Sequence, residues 1–501
     1  MELLENLAFG FSVAATFQNL GACLIGALLG TAIGVLPGIG PVATISLLLP
    51  LTFGMPSTTA IIMLAGIYYG AQYGGSTTSI LMNLPGEVSS VITALDGYQM
   101  ARNGQAGPAL AIAALGSFFA GSVATLLVAA SGPLLTSVAL SFGPADYFSL
   151  MFLGLIVSAV LSEGNVLKSI SMMVAGVGLG LVGTDVQTGQ QRFTFNIPEL
   201  SDGIGFAPMA MGMFGVAEII RNLEQPEVRD ALKTKITRLW LSKEQFRRVI
   251  GPVLRGTTLG SIVGILPGGG ASLSSMGAYT LERRISKNKH MFGKGAIEGV
   301  AAPESANNAA AQTSFIPLLT LGIPSNAVMA LMVGALIIQG IQPGPRMIEA
   351  QPDLFWGLIA SMWIGNLMLV IINLPLIGMW VRLLKVPYDL MYPAILVFCA
   401  IGVYSLNNND FDVYVTVIFG FLGYLFSKIG CPPAPMLIGF VLGPMMEEHL
   451  RRAMLLSRGD AMVFIQRPIS ATLLGLALLA VIAMALPSIR RGKDEALAGG
   501  G

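Results

Sequence analysis

The sequence predicts an all-α polytopic membrane protein built from two structural repeats, on three observations. Of 501 residues, 54% are hydrophobic and only 11% are charged, with a mean hydropathy of +0.73, whereas soluble domains carry about 25% charged residues. Long stretches hold no charge at all, and about 20 apolar residues are enough to cross a bilayer. A Gly-Pro motif that should break a helix sits inside one such stretch and recurs nearly half a chain later.

The clearest apolar runs are 107–134, 147–162, 169–184, 204–217, 325–345, 354–381, 413–427 and 469–489. With some extension they predict about 11 to 13 crossings. The opening residues MELLENLAFGFSVA carry two Glu and no Lys or Arg, which does not suit a cleavable signal peptide and predicts an interfacial lead-in. Cys23, Cys399 and Cys431 lie far apart in or beside apolar segments, so free buried thiols are expected rather than a disulfide framework or a zinc site.

A net charge of +1 points to no partner, but the basic residues are unevenly placed. Nine of the 28 fall between Arg221 and Arg255, and five more between Arg283 and Lys294. The positive-inside rule puts both segments in the cytoplasm. A solvated linker explains the first; nucleic-acid binding is not indicated.

Residues 30–40 read GTAIGVLPGIG and residues 260–270 read GSIVGILPGGG, identical at six of eleven positions including the Pro-Gly-x-Gly core. Each half also holds a polar cluster before a second break: GGSTTSILMNLPG at 74–86 and ESANNAAAQTSFIPLLTLGIPS at 304–325. The spacing within these two differs, so they align only loosely. The expected organisation is a first transmembrane repeat at 1–220, a basic cytoplasmic linker at 221–255, a second repeat at 256–489 and a tail at 490–501. Arg255 and Glu282 flank the second Pro-Gly break by about a dozen residues on either side, with basic loops beyond both. That arrangement favours a helical hairpin returning to its starting side over one continuous span.

Backbone inside hydrocarbon must be hydrogen-bonded, so broken helices survive only when buried in protein or lining a wet cavity. Their free N–H ends attract anions and their free C=O ends attract cations. Paired discontinuous helices in corresponding positions of two repeats mark the midplane site of secondary transporters. The expected substrate-binding set is the backbone of Gly38, Gly40, Gly268 and Gly270 with Ser76, Thr77, Thr78, Ser79, Asn83, Ser305, Asn307, Asn308, Gln312, Thr313 and Ser314. Such neutral donors and acceptors suit a carboxylate, with Na⁺ held by oxygens at the broken-helix ends. Glu304, Asn307 and Thr78 are the candidates for ion coupling. Moving a trianion into a negative-inside cell costs roughly 7 kcal/mol at 100 mV, so uptake needs co-transported Na⁺ or H⁺.

Plainer readings exist for each. Ser and Thr in membrane helices often bond backbone carbonyls or mediate close packing. Glu304, following Pro303, could mark a helix start, and Glu87 could be a surface residue at a hairpin end.

The segments LPGIGP (36–41), YGAQYGGSTTSILMNLPGE (69–87), LDGYQMARNGQAGPAL (95–110) and EGVAAPESANNAAAQTSFIPLLTLGIP (298–324) resemble the large membrane subunit of the bacterial tripartite tricarboxylate transporters. The resemblance implies a multi-pass permease of the cytoplasmic (inner) membrane with about a dozen helices, working with a small membrane subunit of about four helices and a periplasmic solute-binding protein. Separately, the general pattern of secondary transporters predicts inverted repeats, and analogy of the hairpin-plus-Ser/Asn/Thr architecture with carboxylate carriers predicts an elevator-like carrier. It implies ion-driven import of a tricarboxylate, dicarboxylate or related organic acid, with no ATP hydrolysis.

The alternatives are an integral membrane enzyme acting on a lipid or apolar substrate, or a channel. His290 and His449 sit in no metal or catalytic motif, residues 407–412 (NNNDFD) read as a polar loop, and GKGAIEG at 293–299 lacks the P-loop order. A channel needs a continuous pore, usually formed around an axis by several subunits.

Overall fold

The structure is a computed structural model and describes residues 2–36, 40–162, 165–185, 187–224, 239–383 and 388–485. Gly38, residues 225–238 of the basic linker and the 490–501 tail therefore lie outside the described residues.

The first half runs α1 (Glu2–Ala14), α2 (Phe17–Val35), α3 (Pro41–Leu48), α4 (Ser57–Met82), α5 (Val91–Met100), α6 (Ala106–Ala139), α7 (Pro144–Leu161), α8 (Val166–Gly180), α9 (Phe206–Ala210) and α10 (Ala217–Glu224). The second runs α11 (Lys243–Ile265), α12 (Gly270–Ile285), α13 (Glu298–Thr313), α14 (Phe315–Leu321), α15 (Ala327–Ile338), α16 (Met347–Ala350), α17 (Pro352–Asn373), α18 (Ile377–Leu383), α19 (Tyr388–Asn407), α20 (Asp410–Lys428), α21 (Ala434–Leu456), α22 (Val463–Gln466) and α23 (Pro468–Ala485). One two-residue antiparallel pair, Gly183–Thr184 with Gln191–Arg192, closes the turn between α8 and α9.

Glycine rows set the closest helix contacts. A Cβ at Gly26, Gly30 or Gly34 of α2 would lie 2.3–2.4 Å from the carbonyl oxygens of Met63, Ile67 and Ala71 of α4. A Cβ at Gly256, Gly260 or Gly264 of α11 would lie 2.1–2.5 Å from those of Ala302, Ala306 and Ala310 of α13. Only glycine permits such backbone approach, as in small-residue contacts of membrane helices generally.

In both rows the residue numbers rise together, so α2 runs parallel to α4 and α11 runs parallel to α13. The chain between each pair must turn back on itself. It does so through α3 in the first half and α12 in the second, and the predicted hairpin is thereby formed. Arg255 and Glu282, noted as flanking the break, meet across its open end with Nη2–Oε1 at 2.8 Å and Nε–Oε2 at 2.9 Å. α11 begins at Lys243 with a reciprocal cap between Ser242 and Gln245, so the last part of the basic stretch is helix.

α4 and α13 form the centre of the molecule, and nearly every residue of both is buried. α4 runs opposite to α13 and the α14 that continues it: Ser76 meets Glu304 of α13, and the Tyr69 ring lies 6.2 Å from that of Phe315 at the start of α14. Five helical stretches among the described residues are long and apolar enough to cross a membrane by themselves: 17–35, 88–139, 144–161, 352–373 and 410–428. The remaining predicted crossings are shorter or interrupted. The apolar run 325–345, for example, is helical only over Ala327–Ile338, ahead of Gly340 in a left-handed conformation.

Candidate functional site

The polar residues of α4 and α13 meet along one buried seam. Ser76 Oγ donates to the Glu304 carboxylate, 2.8 Å from each oxygen, and Thr93 Oγ1 of α5 donates to it as well. Ser117 of α6 donates to the Glu304 backbone carbonyl at 3.4 Å and accepts from Asn308 Nδ2 at 2.7 Å. Asn308 Nδ2 also reaches Asn307 Oδ1, and Asn307 Nδ2 reaches Ser89 at 3.5 Å. Ser89 Oγ lies 3.2 Å from Gln72 Oε1 and contacts Glu87.

Both carboxylates belong to the interior. α13 begins at Glu298, so Pro303 and Glu304 lie within the helix and Glu304 does not mark its start. Glu87 is 9% exposed and is not a surface residue. The described side-chain partners of Glu304 are all neutral hydroxyls, so its charge is not balanced by a nearby cation. Such uncompensated burial is costly unless the group takes up a proton or a cation.

The other expected site residues divide into three groups. Several satisfy backbone, as the plainer reading allows: Thr77 bonds Tyr73 O, Thr313 bonds Ala309 O and Ser314 bonds Ala310 O. Others bond backbone beside the Pro-Gly breaks. Thr78 Oγ1 reaches Val35 O at 2.6 Å, and Gly268 N–H reaches Ser325 O at 2.6 Å. Gly268 and Gly270 are left-handed (φ 76° and 51°), and a Cβ at Gly268 would strike Ser158 of α7. Gly40 precedes α3 as its cap, and Ser79 bonds Ser90. Ser305 Oγ and Gln312 Oε1 form the third group, buried with no protein partner.

The second breaks correspond more closely than their sequences suggest. Both helices end on a left-handed residue, Asn83 (φ 57°) and Gly322 (φ 73°), and each is followed two residues later by Pro85 or Pro324. Asn tolerates this conformation better than most side chains, which is why it can stand where the other half uses glycine.

Sequence reasoning passed over Gln72, Ser89, Thr93 and Ser117 and read Glu87 as a surface residue. Gln72 had a usable signal, since it lies four residues before Ser76 on the same helical face. Thr93 and Ser117 carry no local signal, because distant helices bring them to the seam.

Outside the core, ion pairs fasten the loops. Arg248 clamps Glu298 at the start of α13. Arg451 grips Asp185 in the α8–α9 turn and holds its carboxyl well below the usual carboxylate range. Asn407 and Asn409 serve the α19–α20 turn, bonding Asp412 and Phe411 N–H, in agreement with a polar loop.

Long apolar helices around a buried polar seam define a multi-pass membrane protein. Comparison with known sequences identifies the group. The chain belongs to the tripartite tricarboxylate transporter TctA family, whose sequence model matches residues 20–438. It is 62% identical over 495 residues to a protein of Agrobacterium vitis described as an uncharacterized 52.8 kDa protein in the TAR-I ttuC′ 3′ region, covering 99% of both chains. It is 64% identical over 236 residues to an uncharacterized protein in the TAR-II ttuC′ 3′ region of the same organism, covering 47% of this chain and 98% of the other. No solved structure matches the chain.

Proposed function

We propose that this chain is the permease subunit that imports an organic acid across the bacterial inner membrane together with Na⁺ or H⁺, accepting it from a periplasmic binding protein and working beside a small membrane subunit of about four helices. The observation that carries this reading is the seam itself. An unbalanced carboxylate, two adjacent asparagines and several hydroxyls sit between two helices that each end in a break.

Two further features support a carrier of two inverted repeats, moving like an elevator. The glycine rows recur with the same four-residue spacing in both halves, and the central helices α4 and α13 run in opposite senses. Duplicated units of opposed orientation allow alternating access around a fixed midplane site. The Asn307–Asn308 amides would hold a carboxylate, while the added cation offsets the electrical cost of anion entry.

The test is uptake and counterflow of radiolabelled organic acids in proteoliposomes with the small subunit and binding protein present. Saturable exchange is expected with the natural substrate. Asn307→Ala and Asn308→Ala should abolish it without loss of membrane insertion, and non-saturating flux would refute a carrier.

A further inference from the structure

We propose that the junction of α4, α6, α13 and α17 is a binding site for a small monovalent cation, with Glu304, Tyr73 and Asn373 as its oxygen ligands. The proposal deepens the ion-driven reading above and rests on it only for physiological meaning.

A cavity of about 10 Å³ lies at this junction, lined by Tyr73, Ser76, Thr77, Ser117, Glu304 and Asn373 among others. That is the room one water or one dehydrated small ion requires. Two lining groups have oxygen atoms that no protein group satisfies. Tyr73, 4% exposed, has an unpartnered hydroxyl, and Asn373, 4% exposed, has an unpartnered Oδ1. Asn373 Nδ2 donates to Leu369 O at 2.9 Å, which turns the amide so that its oxygen is the free atom. Buried polar atoms without partners are rare and need a reason.

The chemistry of the lining selects the ligand. The polar side chains of the lining offer hydroxyl, carboxylate and amide oxygens, with no sulfur or imidazole, which suits hard cations and not soft metals. The single carboxylate supplies one negative charge, and no Lys, Arg or His lines the cavity. One monovalent cation balances that charge, whereas a divalent ion would leave a buried excess. α17 ends at Asn373, so its free carbonyls and negative dipole end add to the attraction.

The site also lies where coupling would need it. Glu304 shares its helix with Asn307 and Asn308, and Ser117 bonds both Asn308 and the Glu304 backbone. A cation here orders the same turn of α13 that presents the two amides.

The experiment measures binding without substrate. The full chain in nanodiscs is titrated with ²²Na⁺ in choline chloride at constant ionic strength, using a scintillation proximity readout. Saturable binding is expected, competed by Li⁺ and weakly by K⁺. Tyr73→Phe and Asn373→Leu should each raise the half-saturating Na⁺ concentration tenfold or more, roughly the loss of one ligand worth about 1.4 kcal/mol. Glu304→Gln should abolish binding, and melting curves in choline verify that each variant is folded. Absence of saturable binding by the folded wild type, or unchanged binding in both Tyr73→Phe and Asn373→Leu, overturns the site. Counterflow without ²²Na⁺ binding sinks the cation site and leaves the carrier standing; binding without counterflow of any organic acid does the reverse.

Discussion

Replacing Gly260 by alanine tests whether the α11–α13 contact positions the seam. The added Cβ would lie 2.1 Å from the Ala306 carbonyl oxygen and 2.7 Å from its Cα. An ordinary C···O contact needs about 3.3 Å, so the helices must separate by roughly 1 Å. The obstacle is backbone, which cannot rotate away as a side chain would, so the upper part of the usual range for overpacking applies, about 3 kcal/mol. α13 carries Glu304, Asn307 and Asn308, and the 2.8 Å bond from Ser76 to Glu304 does not survive an ångström of movement unless α4 follows. Purified Gly260→Ala should therefore melt well below wild type, and reconstituted uptake should fall at least tenfold. Gly277→Ala is the control, because its Cβ would meet only the flexible Leu259 side chain at 3.4 Å. If Gly260→Ala and Gly277→Ala are indistinguishable from wild type in both melting and uptake, backbone proximity does not set the geometry of the seam.

Three further outcomes are expected. Asp96 accepts from Tyr279 Oη at 2.9 Å and from the Gly295 and Ala296 N–H groups at 2.8 Å each; Asp96→Ala leaves these donors unsatisfied at about 1–3 kcal/mol each, read as a lower melting temperature. Arg255→Ala strands the 3% exposed Glu282 side chain, and since the guanidinium itself is partly in water the loss should be about 2 kcal/mol, with the double variant Arg255→Ala/Glu282→Leu recovering most of it. The Asp185 carboxyl is held low by Arg451, so its contribution is present above the ordinary carboxylate value and is lost only as pH falls through the lowered one. Protease nicking of the 181–205 turn should thus be the same at pH 7 and pH 4 in the wild type, and raised at both by Arg451→Gln.

Sequence by itself determined what depends on composition and on local backbone chemistry. Low charge and long apolar runs require helices with internally satisfied backbone, and Pro-Gly-x-Gly requires a break wherever it occurs. The hairpin at 243–285 was legible for that reason, with Arg255 and Glu282 placed symmetrically about its turn. Asn307 and Asn308 were legible because adjacent amides in an apolar setting demand partners. Tertiary structure alone decided which partners those were. Thr93, Ser117 and Asn373 come from helices other than α4 and α13, far enough away in the chain that no local pattern ties them to the seam. It also decided that Glu87 and Glu304 are interior, and that Asn83 and Gly322 both end helices in the left-handed conformation despite unlike side chains. The physical reason is that a break or a span is fixed by a few neighbouring residues, whereas burial and coordination depend on which helices pack together. Here that packing is set by glycine rows whose contacts lie 37–46 residues away in the chain.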